Sequence, residues 1–277
     1  MHQTLFMSNS WFKFRQFTVN QDKTAMKVCT EACIFGAWAQ PGQARRILDI
    51  GAGTGLLSLM LAQRTGAIID AVEINEAACT QAAENFQKSA WSHRLNAIHA
   101  DIKEYAKNHE GEYDFIISNP PFYENHPGRD EEAENAAMHQ SNLSFPDLIA
   151  CVKKLLSPGG KFALLLPEPQ SVSFERQAGK RGINLHVEKQ LFIFNTLPGR
   201  VFRIVSLYSQ TEPDGFELEE IAIRDKQNLY TRRFKELLDP YYDPAFLHKY
   251  ADKETGTVIS AKFEEPVDRR ESAGPEI

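Results

Sequence analysis

One segment constrains the fold of this chain more than any other: residues 46–61, RILDIGAGTGLLSLML. An apolar run with strand composition passes through a glycine-rich turn directly into an apolar helical run. Gly51, Gly53 and Gly55 let the backbone turn tightly and lie close to a bound ligand. A strand that runs through such a turn into a helix is the opening unit of a parallel sheet covered by helices.

Further apolar runs continue the same alternation of strand and helix as far as residue 209. The sequence predicts strands at 46–50, 68–74, 95–100, 113–119, 161–167, 190–195 and 201–209. It predicts helices at 55–65, 76–89, 144–156 and 169–181. Too few residues separate the last two strands for a helix, so these strands should pair as an antiparallel hairpin. We therefore predict an α/β fold, a doubly wound and mostly parallel Rossmann-like sheet with an antiparallel end.

Composition excludes several classes of protein. Four cysteines among 277 residues are too few for a disulfide framework, which favours a reducing compartment. No apolar run is long enough for a signal peptide or a membrane span. The net charge of −6, from 31 basic and 37 acidic residues, argues against non-specific nucleic-acid binding but allows a local basic patch. We expect a cytoplasmic monomer without membrane association.

The spacing of the glycines distinguishes between cofactors. A dinucleotide site normally has G-x-G-x-x-G, whereas Gly51, Gly53 and Gly55 follow G-x-G-x-G. Asp49 precedes the first glycine, where its carboxylate would repel a pyrophosphate but suits a ligand that carries an ammonium and a sulfonium. The predicted cofactor is therefore S-adenosylmethionine.

Two more acidic residues follow predicted strands at the same edge of the sheet. Glu73 ends the second strand, 22 residues after Gly51, and is placed to accept hydrogen bonds from both ribose hydroxyls. Asp101 follows the third strand and could accept from an adenine amino group, with Ile102 beside the ring. These side chains complete the predicted cofactor site.

The predicted chemistry lies in 118-SNPPF-122, after the fourth strand. Asn119, Pro120, Pro121 and Phe122 fall at the carboxyl edge of the sheet, where open α/β sheets bind ligands, and Asn119 should also border the cofactor. The Asn119 side-chain oxygen and the Pro120 carbonyl can accept hydrogen bonds from the exocyclic amine of a base, and the prolines hold that carbonyl rigidly. Phe122 offers a face on which an extruded base can stack.

The glycine loop DIGAGTG together with NPPF resembles the class I S-adenosylmethionine-dependent methyltransferases that methylate planar amino groups. The stretch 12-FKFRQFTVNQDKTAMKVCTEACIFGAWA-39 is similar to the one that opens the tRNA1(Val) adenosine-37 methyltransferases. Segments 198–205 and 229–242 also match, so the resemblance covers about residues 12–245. It implies N6-methylation of an adenine in tRNA, with Gln16, Gln21, Lys27 and Val28 over the cofactor or substrate pocket. The chain departs from the family pattern at Glu31-Ala32, where Asp-Gly is usual, and at Phe122, where Tyr is common.

Four regions are expected along the chain. Residues 1–45 form an N-terminal extension over the pocket, with a helix near 30–39. Residues 46–210 form the cofactor-binding core. Residues 211–252 add a strand at 216–223 and a basic helix at 226–238 to the same domain. The charged residues 253–277, rich in Glu, Pro and Gly, are expected to be a disordered tail.

Basic residues near the C-terminus could bind the tRNA, although a solvated helix face is an equal alternative. The candidates for RNA contact are Arg200, Arg224, Lys226, Arg232 and Arg233. Cys29 and Cys33 are interpreted as packing residues and no metal is expected, since two thiols without nearby ligands rarely form a metal site. His126 and His139 flank the acidic run 130–135, which is expected to be a mobile loop over the pocket.

Three other functions remain open from the sequence. One is methylation of a different planar amine, either a guanine of ribosomal RNA or a protein glutamine. The second is an NAD-dependent oxidoreductase, against which the glycine spacing and the lack of a Tyr-x-x-x-Lys proton donor both argue. The third is a non-catalytic RNA-binding protein, which an intact NPPF motif disfavours.

Overall fold

A computed structural model of the chain describes residues 10–24, 26–120, 143–180 and 183–248. The predicted tail at 253–277, the acidic run 130–135, His126 and His139 lie outside the described residues. The strands are β1 Trp11–Lys13, β2 Thr18–Asn20, β3 Arg46–Ile50, β4 Ile68–Glu73, β5 Leu95–His99, β6 Tyr113–Ser118, β7 Leu156–Leu166, β8 His186–Thr196, β9 Val201–Ser209 and β10 Glu217–Arg224. The α-helices are α1 Thr30–Trp38, α2 Leu56–Ala62, α3 Glu76–Gln87, α4 Ile102–Tyr105, α5 Phe145–Leu155, α6 Glu168–Ala178, α7 Arg232–Leu238 and α8 Pro244–His248.

Eight strands form one sheet in the order β10-β8-β9-β7-β6-β3-β4-β5. Strands β3 to β7 are mutually parallel where they pair, and helices connect them. Strand β9 runs antiparallel to both β7 and β8, and β10 lies parallel to β8 at the edge. The predicted α/β fold, mostly parallel with an antiparallel end, is therefore confirmed.

Helices cover both faces of the sheet, because the strands carry apolar side chains on both faces. Alternate residues of β3 enter two separate hydrophobic cores, because successive side chains of a strand point to opposite faces. Ile47 lies in the core that includes α1, α2 and α7, whereas Leu48 and Ile50 lie in the core that includes α5 and α6. A strand buried on both faces needs a continuous apolar run, and RILDI provides one apart from Asp49.

The N-terminal residues pack against the sheet domain rather than extending from it. Strands β1 and β2 form a small antiparallel hairpin that the sequence did not predict. Helix α1 lies close against α2: an added Cβ on Gly36 would stand 2.5 Å from the Met60 sulfur. At the turn of the hairpin, Arg15 donates from its backbone to the Tyr241 carbonyl at 2.8 Å and forms an ion pair with Asp239 at 2.7 Å.

The predicted helix at 226–238 is wrong in its first half, because α7 begins only at Arg232. Asp225 accepts hydrogen bonds from the backbone N–H groups of Gln227 and Leu229, both at 2.9 Å, and these bonds hold a turn in place of a helix. Asn228 adopts a φ of 63°, which a helix does not permit. The Thr231 side chain then caps α7.

Candidate active site

The glycine turn after β3 has the conformation that its sequence predicts. Gly51, Gly53 and Gly55 all have positive φ, at 73°, 56° and 78°. An added Cβ on Gly55 would stand 2.4 Å from the Phe86 ring of α3, so this glycine allows close packing of the helix. Added Cβ atoms on Gly51 and Gly53 would meet no atom of the described residues within 4 Å. The first two glycines therefore border open space that a ligand can enter.

Asp49 is the only charged residue of β3 that is buried, with 1% of its surface exposed. Its Oδ2 accepts hydrogen bonds from the Ser58 hydroxyl at 2.7 Å and from the Ser58 backbone N–H at 3.2 Å. Its Oδ1 is buried without a partner among the described residues. Burial raises the pKa of Asp49 to about 7, with a further contribution from the negative charge of Glu73. A cationic ligand at this carboxylate would supply what the protein leaves unsatisfied.

Glu73 and Asp101 lie at the ends of neighbouring strands, on the edge where the glycine turn lies. The carboxylate of Glu73 accepts from the backbone N–H of Gly53 at 2.8 Å and from that of Asn75 at 2.9 Å. Asp101 caps α4 by accepting from the Lys103 N–H at 2.8 Å. The Ala100 N–H donates to the Glu73 carbonyl at 3.1 Å, which fixes the two strand ends beside each other. Ile102 follows as a buried residue, 5% exposed.

Asn119 is held beside the glycine turn because Ser118 pairs with Ile50 across β6 and β3. The Ser118 hydroxyl donates to the Ile50 carbonyl at 2.9 Å and fixes these two strand ends together. The side-chain oxygen of Asn119 is buried and has no hydrogen-bond donor among the described residues. Pro120 follows it and is half-buried, whereas Pro121 and Phe122 lie outside the described residues.

The predicted N-terminal site residues separate into two locations. Gln21 is buried, and its side-chain oxygen accepts from the Val28 N–H at 2.7 Å, while Lys27 donates to the Gln21 carbonyl. These bonds fold residues 21–28 into a closed loop. Gln16 instead is exposed at the turn of the β1–β2 hairpin, next to Arg15 and the C-terminal segment. The predicted contact of Gln16 with the cofactor stays a prediction.

The sequence reasoning missed Asn85, which links the N-terminal hairpin to the glycine turn. Its amide donates to the carbonyls of Asn20 and Thr54, both at 2.9 Å, and its oxygen accepts from the Asn20 N–H at 2.9 Å. Asn85 is 1% exposed. All its partners are more than 30 residues away, so no local pattern could have indicated it. Ser58 was missed too, although it is the one polar residue in the apolar helix α2 and could have been noticed.

The predicted RNA-contacting residues do not form one cluster. Arg200 is exposed in the turn between β8 and β9, and Arg224 ends β10, where its guanidinium lies 4.5 Å from the Tyr230 ring centre. Lys226 is exposed in the turn that follows. Arg232 pairs with Glu236 at 2.7 Å, and Arg233 forms an ion pair with Glu219. The two helix residues are therefore partly neutralised by acidic partners, whereas the other three lie near the carboxyl edge of the sheet.

The cysteines behave as packing residues. Burial raises the pKa of Cys29 to about 12 and that of Cys33 further, so both thiols stay protonated at neutral pH. In the described part of the chain, no group of three or more His, Cys, Asp or Glu residues is arranged to hold a metal ion. None of the helices described in the structure is both long and apolar enough to span a bilayer.

The fold and the site together define a Rossmann-like methyltransferase. The family model called Methyltransferase small domain matches residues 35–173. A solved structure described as a predicted O-methyltransferase from Agrobacterium tumefaciens superposes with a TM-score of 0.59, covering 75% of this chain and 95% of that one at 16% identity. A modification subunit of a putative type I restriction enzyme from Vibrio vulnificus gives a TM-score of 0.51 at 14% identity, over 78% of this chain and 52% of that one. These two likenesses concern the fold alone.

Sequence relatives identify the particular family. A protein of Dyadobacter fermentans named tRNA1(Val) (adenine(37)-N6)-methyltransferase is 41% identical over 84% of this chain and 98% of its own. Proteins of the same name from Cytophaga hutchinsonii and Serratia proteamaculans are 41% and 37% identical, over 85% and 83% of this chain and 99% and 89% of their own. The chain belongs to the tRNA1(Val) (adenine(37)-N6)-methyltransferase family, as its sequence resemblance predicted.

Family membership decides between the alternatives that the sequence left open. The protein is a methyltransferase with S-adenosylmethionine as methyl donor, and the NAD-dependent oxidoreductase is excluded. The site agrees with this cofactor. Asp49 presents an unpaired buried oxygen where a dinucleotide would place pyrophosphate, and the space beside Gly51 and Gly53 is open.

Proposed function

We propose that this protein methylates the 6-amino group of adenosine 37 in tRNA1(Val). The support from sequence is its similarity to enzymes of that name along most of its length. The structural observation that carries the chemistry is Asn119. Its side-chain oxygen is buried at the carboxyl edge of the sheet, next to the glycine turn, and no described residue donates a hydrogen bond to it. A buried acceptor left without a donor costs about 1–3 kcal/mol, so its retention suits a substrate that supplies the donor.

The cofactor supplies an electrophilic methyl group on a sulfonium. The amine of adenine is a weak nucleophile, because its lone pair is delocalised into the ring. Asn119 accepts a hydrogen bond from that amine through its side-chain oxygen, and Pro120 accepts the second through its carbonyl. Together they favour the pyramidal amine and orient its lone pair, which is catalysis by positioning rather than by acid and base. Pro121 keeps the carbonyl of Pro120 rigid, and Phe122 stacks on the extruded base.

The cofactor is held by residues from four adjacent strand ends. Asp49 faces the cationic part, and Glu73 accepts from the ribose hydroxyls with the lone pairs that Gly53 and Asn75 leave available. Asp101 and Ile102 contact the adenine of the cofactor. The remaining proposed cofactor contacts are Gly51, Gly53, Gly55, Asn119 and Lys27.

The other regions assist this reaction. The described N-terminal residues, 10–24 and 26–45, close one side of the pocket, supported by the bonds that Asn85 forms with Asn20 and Thr54. Arg200, Arg224 and Lys226 lie at the edge where RNA must approach, and Arg232 and Arg233 add a weaker contribution because their charges are already paired. We place the reaction in the cytoplasm, with the protein acting as a monomer without a metal ion.

The decisive experiment is transfer of a labelled methyl group to total tRNA, followed by nucleoside analysis. We expect the label in N6-methyladenosine, and digestion of purified tRNA1(Val) should locate it at position 37. Asn119→Ala is the matched control and should give no label in the same time. Label in ribosomal RNA guanine or in protein, with none in tRNA, would overturn the substrate.

The cofactor contacts have a separate test. Glu73→Ala should weaken S-adenosylmethionine binding by about 1.5–3 kcal/mol, because it removes charge-assisted hydrogen bonds to the ribose. Titration calorimetry measures this directly. Glu104→Ala, which removes an exposed carboxylate from α4, is the control and should bind like the parent.

A further inference from the structure

The hairpin made of β8 and β9 extends beyond the end of the neighbouring strand β7. Strand β9 pairs with β7 only as far as Ile204, which lies opposite Leu166. The residue that follows β7, Pro167, begins the turn into α6. Among the described residues, the last residues of the hairpin, 194–203, pair only within β8, β9 and β10, and the edge of β9 at 201–203 has no partner strand there.

The strand register places this projecting end beside Asn119. Ser118 lies opposite Leu164 of β7, and Leu164 lies opposite Ser206 of β9, so Asn119 is level with Val205. From Val205 the hairpin continues four residues to Val201, a rise of about 13 Å. It stands two strand spacings from Asn119, about 10 Å to the side. The hairpin thus projects next to Asn119, beyond the carboxyl end of β7.

The tip of the hairpin has residue types that are typical of an RNA-binding surface. Residues 195–200 are all exposed, and Leu197 at the tip shows 42% of its surface to solvent. Arg200 follows three residues later, also exposed. Below the tip, the Arg203 guanidinium lies 4.1 Å from the ring centre of Phe202 and 4.0 Å from the Glu31 carboxylate, which partly neutralises its charge. Arg224 of β10 lies opposite Thr196 and adds positive charge at the same height. An apolar tip among arginines complements a base and its flanking phosphates.

We propose that this hairpin tip, Leu197 to Arg200, binds the anticodon loop of the tRNA next to the extruded adenine. Leu197 packs against a base that neighbours the target, and Arg200 contacts a phosphate of the loop. The proposal rests on the proposed function and adds the surface that selects the loop. A single-stranded loop fits this position, because its bases are free to stack on protein side chains while the target base is turned into the pocket.

Two substitutions test the proposal against matched controls. Leu197→Ala should reduce kcat/KM for tRNA about three- to tenfold, the loss expected for the two fifths of a leucine side chain that RNA would cover. Ile68→Ala is its control: Ile68 is 47% exposed at the opposite edge of the sheet and should behave like the parent. Arg200→Ala should reduce the slope of log affinity for tRNA against log salt by about one. Arg232→Ala, already paired with Glu236, should change that slope less.

Cofactor affinity should stay at the parent value in all four variants. This measurement checks that each variant is folded. A direct measurement is photo-crosslinking with Leu197→p-benzoylphenylalanine, in which we expect attachment to a nucleotide of the anticodon loop. The control variant Ile68→p-benzoylphenylalanine should not crosslink to the tRNA. Parent-like kinetics and salt slope in the hairpin variants, or crosslinks outside the anticodon loop, overturn the hairpin proposal while the function stands. If the parent itself methylates no tRNA, both proposals fail.

Discussion

Replacing Asp49 by asparagine should stabilise the protein and weaken its cofactor binding at the same time. Asp49 is fully buried, and only one of its oxygens has partners, both from Ser58. Burial raises its pKa from 3.8 to about 7, so the folded protein without cofactor favours the protonated form. The unfolded chain has no such preference. The carboxylate is therefore a cost to folding at neutral pH, which a bound cation offsets.

The size and sign of the effect follow from proton linkage. Because the folded-state pKa is the higher one, the contribution of Asp49 to the free energy of unfolding is greatest below pH 4 and is lost as pH rises through about 7. A shift of roughly three units corresponds to about 4 kcal/mol at pH 8. Asparagine avoids this loss but buries an amide without a partner, at a cost of about 1–3 kcal/mol. We expect a net gain of about 1–3 kcal/mol at pH 8, or roughly 3–10 °C in Tm.

Cofactor binding should move in the opposite direction. If the cation binds only the carboxylate form, a pKa of about 7 means that half the protein is competent at pH 7 and about a tenth at pH 6. The parent should therefore bind S-adenosylmethionine about fivefold more weakly at pH 6 than at pH 7. The asparagine variant should lose this dependence and bind roughly 10- to 150-fold more weakly at pH 7, since it loses a charge-assisted contact.

Two assays check the reasoning: thermal unfolding without cofactor from pH 4 to pH 8, and calorimetric titration from pH 6 to pH 7.5. The gain in Tm of Asp49→Asn should shrink as pH falls. Asp101→Asn is the control for stability, because Asp101 is 31% exposed and asparagine also caps a helix. An asparagine variant that is less stable than the parent at pH 8, or that keeps the pH dependence of binding, would refute the account.

Four further predictions concern the carboxyl edge of the sheet and helix α3, which packs against the glycine turn. Asn119→Ala should keep cofactor affinity near the parent value while single-turnover methyl transfer falls by about 10² or more; an unchanged rate would exclude the proposed positioning. Gly55→Ala should lower the free energy of unfolding by about 2–4 kcal/mol, since the new methyl meets the Phe86 ring at a positive φ. Gly51→Ala should cost only about 1 kcal/mol of stability but lose cofactor binding in calorimetry, because its Cβ points into open space. Asn85→Ala should lower stability by about 2–4 kcal/mol in urea unfolding, because it leaves backbone groups of Asn20 and Thr54 unpaired.

The strands of the parallel sheet could be predicted from sequence because each must bury both faces. The bounds of β3 and β9 agree with their apolar runs, and those of β4, β5 and β6 differ by one residue at the end. The strand predicted at 161–167 begins earlier, at Leu156, because an irregular pairing with Tyr113 carries it through Pro158-Gly159-Gly160. Such a pairing depends on the neighbouring strand, and the local sequence indicates only a break.

The parts that could not be predicted depend on partners distant in sequence. The three-residue strands β1 and β2 are too short to show a period, and their bonds to α3 and the C-terminal segment join residues more than 60 positions apart. The same holds for the site. Asp49 and Asn119 could be predicted because the proposed chemistry requires those residue types at the end of a strand. Asn85 has a structural role, and no sequence motif indicates it. The predicted RNA contact of Arg233 stays a prediction, and its ion pair with Glu219 of β10 is one that no local pattern indicates.

The sequence predicts a boundary between the N-terminal extension, which ends at residue 45, and the core, which begins at residue 46. The side chains of the two regions pack against each other. Gly36 touches Met60 across α1 and α2, Arg15 reaches Asp239, and Asn85 joins Asn20 to Thr54 of the glycine turn. The turn that faces the cofactor is therefore supported from behind by α3, which the N-terminal hairpin holds in place. The N-terminal stretch is therefore tied through Asn85 to the shape of the glycine turn, and a change in one must be accommodated by the other.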